Sequence, residues 1–191
     1  MRIVKLVESW LCVALIRSII SITKGSHKGS LRAGRDAPVG YYVTTREADF
    51  FIDRKDFDTA CKLLKNLNRR DDLKSGGGYP ADLERPEDSK SVAKNPNVCF
   101  AWMPWNYDEL FDDPVDILRE VGFDVTVDET GIVDIYYDSK TGCEGEFLRV
   151  LAPVVRPGSY IVWEGEEYGD IYRYDFDGRG METTYATIEW E

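Results

Sequence analysis

The chain predicts an α+β fold, a mainly antiparallel sheet with about three helices packed on one face. Three observations carry this prediction. Apolar residues alternate with period two around short polar turns. Segments with helical spacing stand between the resulting hairpins instead of between single strands. In residues 171–176, Tyr172, Tyr174 and Phe176 alternate with Ile171, Arg173 and Asp175, so one face of that strand is aromatic and the other polar.

Residues 41–45 and 49–52 read as two short strands around a polar turn. Asp53 or Asp56 caps a helix whose apolar positions Phe57, Ala60, Cys61, Leu64 and Leu67 recur at helical spacing. Residues 68–97 contain Gly76-Gly77-Gly78, three prolines and many charges, and read as a long mobile loop. Order returns at 98–103. The clearest helix is 113–122, with Asp113 as cap, Pro114 in the first turn and Gly122 at the left-handed stop. Phe123, Val125 and Val127 alternate with polar residues, and the turn 128–131 leads to a partner strand at 132–137. A further helix spans 144–155, stopped by Pro157-Gly158, and strands at 160–164, 171–176 and 181–190 close the chain.

Composition divides the chain. Residues 1–38 form a basic, apolar leader and linker, and residues 39–191 a single acidic domain. Up to Asp36 there are seven Lys/Arg against two acids; beyond it 17 basic residues face 33 acidic ones, a net −16. A domain this acidic repels nucleic acid unless its basic residues gather on one face, and its charge favours basic partners or metal cations or simply serves solubility. The leader admits three readings: a translation start placed too early, with Val39 as the true start; a membrane or targeting segment; or a docked amphipathic helix. Only residues 9–16 are uncharged between Glu8 and Arg17, too few for a span of about 20 residues. Membrane association therefore depends on residues 1–24 being a genuine anchor or signal, and the expected compartment is the cytoplasm.

Catalytic chemistry is sparse. The one histidine, His27, lies in the linker, which removes His-dependent triads from the domain. Cys12, Cys61, Cys99 and Cys143 are widely spaced, without a metal-binding pair. Gly76-Gly77-Gly78 is followed by Tyr79-Pro80, not by the Lys of a phosphate loop. A calcium loop begun at Asp175 would place Arg179 at a ligand position and Ala186 where glutamate belongs. No cofactor and no metal ligand set is expected.

Residues 102–113 are more informative. Trp102, Trp105 and Tyr107 are interleaved with Pro104, and Asp108, Glu109, Asp112 and Asp113 follow. Aromatic anchors rimmed by charge are what protein interfaces prefer, and rings that fill a core are the competing reading. These seven residues are the candidate partner-binding site. The leading expectation is a small binding or inhibitor protein that engages a basic protein. The second is an enzyme using carboxylates and a divalent cation near 128–138 or 170–177.

The run Ser159-Tyr160-Ile161-Val162-Trp163-Glu164-Gly165-Glu166, then Tyr172-Arg173-Tyr174-Asp175-Phe176-Asp177-Gly178, resembles the ending of small acidic proteins encoded by bacteria and phages. Gly40-Tyr41-Tyr42-Val43, Gly122-Phe123 and Ile135-Tyr136-Tyr137-Asp138 are similar as well. The resemblance covers the chain from Val39 to Trp190. It implies a bacterial or phage cytoplasmic origin and carries over no catalytic residue.

Overall fold

The computed structural model describes residues 41–77, 96–167 and 169–186. The leader 1–38, the start at Val39, residues 78–95 of the expected loop and residues 187–190 of the closing strand lie outside the described residues. The fold is α+β, with strands β1 (Tyr42–Asp49), β2 (Ile52–Asp53), β3 (Gly76–Gly77), β4 (Val98–Cys99), β5 (Phe123–Val127), β6 (Gly131–Lys140), β7 (Tyr160–Gly165), β8 (Ile171–Phe176) and β9 (Met181–Tyr185). Its α-helices are α1 (Phe57–Leu67), α2 (Tyr107–Leu110), α3 (Pro114–Val121) and α4 (Glu144–Leu151). No helix among the described residues is long and apolar enough to cross a membrane.

The main sheet is antiparallel throughout and runs β5–β6–β1–β7–β8–β9. β2 extends the line of β1, because Ile132 of β6 pairs with Ile52 and also with Val127 of β5. After Thr44, still within β1, the chain leaves β6. There the Thr45 hydroxyl accepts the backbone N–H of Tyr137 at 3.1 Å, taking the place of a lost ladder bond. The polar residues expected to form a turn near Arg46 instead form a bulge inside one longer strand, with a register shift between Thr45 and Glu47.

The hairpin β5–β6 follows from its turn. Asp128 Oδ1 accepts the N–H groups of Thr130 (2.7 Å) and Gly131 (3.2 Å). Gly131 has φ +147°, and a Cβ there would stand 2.0 Å from the carbonyl oxygen of Ile52, so no other residue fits without moving β2. The capping of α3 matches its sequence signals: Asp113 Oδ1 accepts the N–H of Val115 at 2.8 Å, and Gly122 ends the helix at φ +114°. The fourth helix, α4, is shorter than expected and stops at Leu151, because Pro153 has no N–H with which to continue it. Val155 then bridges to Ile52.

Among the described residues the helices pack on one side of the sheet. That side buries Val43, Ile135, Tyr137, Ile161, Trp163 and Phe176 against Leu64, Ile117, Leu118, Phe147 and Leu151. Trp163 sits at the centre of an aromatic cage. Tyr172 stacks on it at 6.0 Å, while Phe123, Tyr137 and Tyr174 meet it edge-on at 5.7–6.5 Å. The opposite face presents Asp124, Asp134, Tyr136 and Asp138 to solvent.

The expected loop 68–97 is built at its start. Asn68, Asp71 and Lys74 are buried, and Lys74 Nζ meets Asp71 Oδ1 at 2.6 Å. A 3₁₀ turn at Asp71–Leu73 and the pairing of β3 with β4 complete this stretch. Its charges enter the interior as a pair, which is how buried ions are tolerated.

The ionisable groups set a pH window. Backbone and side-chain hydrogen bonds hold the carboxyls of Asp53, Asp128 and Asp177 below their ordinary value of 3.8. A depressed carboxyl contributes stability above its unfolded pKa and loses it as pH falls through the folded one. At the alkaline end, burial and then the hydrogen bond to Asp170 push the Tyr41 hydroxyl from 10.0 up to about 12. That contribution is present below pH 10 and lost as pH rises through about 12. Chemical denaturation across pH is expected to show a plateau bounded by these two losses. A stability that rises below pH 3.8 contradicts the turn assignments.

Candidate functional site

Between β4 and α3 the chain alternates buried and exposed rings. Phe100, Met103 and Tyr107 are buried, and Phe100 and Tyr107 pack against Phe147 of α4 at 5.2 and 5.6 Å. Trp102, Trp105 and Leu110 point the other way, with 63%, 40% and 56% of their surfaces exposed. The buried rings fix the segment to the core, and the exposed ones are held out by it.

The geometry at Trp102 is unusual. Met103 donates its N–H to the carbonyl of Phe100 at 3.0 Å, closing a turn whose third residue is Trp102, with φ +67°. A positive φ at that position is ordinary for glycine and an outlier for a bulky side chain. Trp102 is the only non-glycine residue with positive φ among the described residues. The loop before α4 supports the turn from behind. Cys143 Sγ donates to Ala101 O at 3.5 Å, and Glu144 accepts the Thr141 hydroxyl (2.6 Å) and the Gly142 N–H (2.7 Å). A Cβ on Gly142 would stand 3.2 Å from the Trp102 indole nitrogen, so the glycine leaves room for the ring.

Of the seven candidate residues, Trp102, Trp105, Glu109 and Asp112 are exposed. Tyr107 is a correction. It is fully buried, and its hydroxyl donates to Leu64 O at 2.8 Å, so it anchors α2 to α1 and cannot touch a partner. Burial accordingly pushes its phenol well above the ordinary range. Three acids have partners within the fold. Asp108 accepts from Asn68 Nδ2 at 2.5 Å, Asp112 pairs with Lys65 at 2.5 Å, and Asp113 caps α3. The hydrogen bond to Asp112 raises the Lys65 pKa. Leu110 was missed by sequence reasoning. Helix α2 has four residues, too few for a period to show which side faces out.

The other candidate places are less developed. Asp128 and Asp177 are turn formers, Asp170 accepts from Tyr41, and Asp175 binds Arg173 Nε at 2.7 Å. Among the described residues no three His, Cys, Asp or Glu side chains converge on a metal-sized site. The outer sheet face holds an open groove of about 310 Å³, lined by Arg46, Glu47, Val162, Ile171, Arg173 and Thr184. Its charges are engaged within the sheet: Arg46 with Glu164 at 3.7 Å, Glu47 with the Tyr160 hydroxyl at 2.6 Å, and Arg173 over the Tyr160 ring at 4.0 Å.

No family model matches the chain, and no curated protein and no solved structure matches it either.

A backbone conformation costing on the order of 1–3 kcal/mol persists only where something holds it. Trp102→Asn, which tolerates the left-handed region, is therefore expected to keep or raise the melting temperature, where loss of a packed tryptophan would lower it sharply. Thermal denaturation followed by circular dichroism checks this. A large fall would show that the indole contributes to the fold by packing on the 141–144 loop.

Proposed function

We propose that the domain is a small acidic binding protein, of bacterial or phage origin and cytoplasmic, that engages a basic protein partner. Trp102, Trp105 and Leu110 are the apolar contacts, and Glu109 and Asp112 belong to the charged rim. The observation that carries this reading is Trp102, a two-thirds-exposed indole on a turn position that favours glycine. It adds little to the core, and the backbone beneath it is strained. Tryptophan is among the residues enriched at the energetic centres of protein interfaces.

Charge supports the choice of partner. A net −16 beyond Asp36 disfavours nucleic acid and draws the domain to basic surfaces, including the grooves of nucleic-acid enzymes. Occupying such a groove would make the protein an inhibitor.

The test is affinity capture from bacterial lysate with the wild-type domain and with W102A/W105A as baits. At low salt the wild type is expected to retain a basic protein that the double variant does not, and high salt is expected to release it. Identical captures by the two baits, or none at low salt, overturn the reading.

A further inference from the structure

The two edges of the main sheet differ. At β5 the Arg119 side chain reaches around to the carbonyl of Val125, Nη2 to O 3.2 Å, so that edge is bonded from within the chain. At the other end β9 pairs with β8, and no strand among the described residues lies along its outer side. An open row of N–H and C=O groups is a template for another strand. Proteins usually blunt it with lysine, proline, a bulge or a covering element. The strand Met181-Glu182-Thr183-Thr184-Tyr185 has no lysine or proline, and its pairing with β8 is unbroken by a bulge.

The hydrogen bonds show which groups are open. Phe176 donates its N–H to Ser159 O and accepts from Gly158 N, so its backbone groups point toward β7. By alternation those of Arg173 and Asp175 point toward β9, as does Ile171, which accepts from Ala186 N at 2.9 Å. Glu182 and Thr184, opposite Asp175 and Arg173, answer them. Met181, Thr183 and Tyr185 therefore direct their N–H and C=O groups outward.

We propose that β9 pairs antiparallel with β9 of a second copy of this chain, about a two-fold axis through Thr183. This register uses all three outward-facing residues. Thr183 meets Thr183 of the second copy and Met181 meets its Tyr185, each hydrogen-bonded pair exchanging two backbone bonds. On the helix side, threonine beside threonine and methionine beside a tyrosine ring are favourable cross-strand neighbours. Tyr185, 52% exposed in the single chain, becomes covered. On the outer face Glu182 lies beside Thr184 of the second copy, and the next strand over presents that copy's Arg173, about 10 Å away. A register shifted by one residue, with the axis through Glu182, sets two glutamates directly against each other instead. The complementarity is thus between the strand and itself, which favours a second copy over an unrelated strand.

Both copies are strongly acidic, so their pairing strengthens as salt screens the repulsion. Capture of a basic partner weakens with salt, and the two contacts are separable on that ground. The experiment is sedimentation equilibrium of the full chain from micromolar to near-millimolar concentration, at low and high salt, with T183P and T183K. Thr183 N–H faces solvent in the single chain, so proline there is compatible with the fold while deleting a bond across the axis. T183K keeps the N–H and places two ammonium groups opposite each other.

Wild type is expected to rise from the mass of one chain toward that of two, more readily at high salt. Both variants are expected to pair about tenfold or more weakly, with an unchanged thermal melt. Should T183P lower the melt, T183K alone decides. A wild type that stays single at near-millimolar concentration in both salts overturns the proposal. So does a dimer that folded T183K leaves intact, or one that dissolves as salt rises.

Discussion

Trp163→Ala is expected to cost about 3–5 kcal/mol, the range for removing a fully buried aromatic side chain. The total stability of a domain this size is roughly 5–15 kcal/mol, so the variant lies near or past its unfolding threshold. The cost is high because the indole is the common neighbour of rings from β5, β6 and β8. With it gone, Phe123, Tyr137, Tyr172 and Tyr174 cannot all close the gap from a fixed backbone. Trp163→Phe is the informative control. The indole Nε1 finds no protein acceptor among the described residues, so phenylalanine removes a buried donor while keeping most of the ring. It is expected to cost less than half as much as alanine. Urea denaturation of the three proteins checks the ranking. A W163F variant as unstable as W163A would contradict this ranking.

The second large effect concerns binding and leaves the fold alone. W102A/W105A is expected to weaken partner affinity about 100-fold or more, since truncating an interface tryptophan commonly costs about 2 kcal/mol or more. Its unfolding free energy is expected to stay within about 0.5–1 kcal/mol of wild type, because neither ring belongs to the buried core. Truncating Tyr107 should do the reverse. Its hydroxyl bond to Leu64 and its packing on Phe100 and Phe147 belong to the fold, so affinity falls only as far as the folded fraction does. Calorimetric titration with a captured, purified partner, alongside thermal melts, separates the two classes. Equal affinities of wild type and the double variant would remove the tryptophans from the interface.

The parts of the fold that were legible in the sequence are those whose signals are local. Helix α3 is one: Asp113, Pro114 and Gly122 each act within a turn of their own position, and the structure uses them as caps and stop. The hairpin β5–β6 and the aromatic face of β8 were also readable, since strict alternation needs no knowledge of neighbours. Where tertiary contacts decide, the reading failed. Lys74 and Asp71 look like loop charges until they are seen to pair in the interior. Arg46 looks like a turn residue until Thr45 is seen to replace a ladder bond.

The candidate site divides the same way. The crowding of aromatic and acidic residues at 102–113 was legible. The inward turn of Tyr107 and the outward turn of Trp102 were not. Nothing in Trp102-Met103-Pro104-Trp105-Asn106-Tyr107 has a period, and the sorting is done by Phe147 beneath and Gly142 behind. Leu110 was hidden by the shortness of α2, and Asp108 and Asp112 take part in a hydrogen bond and an ion pair that span the chain.

Hydrogen–deuterium exchange of the domain, free and bound to its captured partner, tests the central claim most directly. Protection on binding is expected in the peptides covering residues 98–113, with the outer sheet face at β7 and β8 unchanged. Protection confined to the sheet face, with 98–113 exchanging as in the free protein, would contradict it.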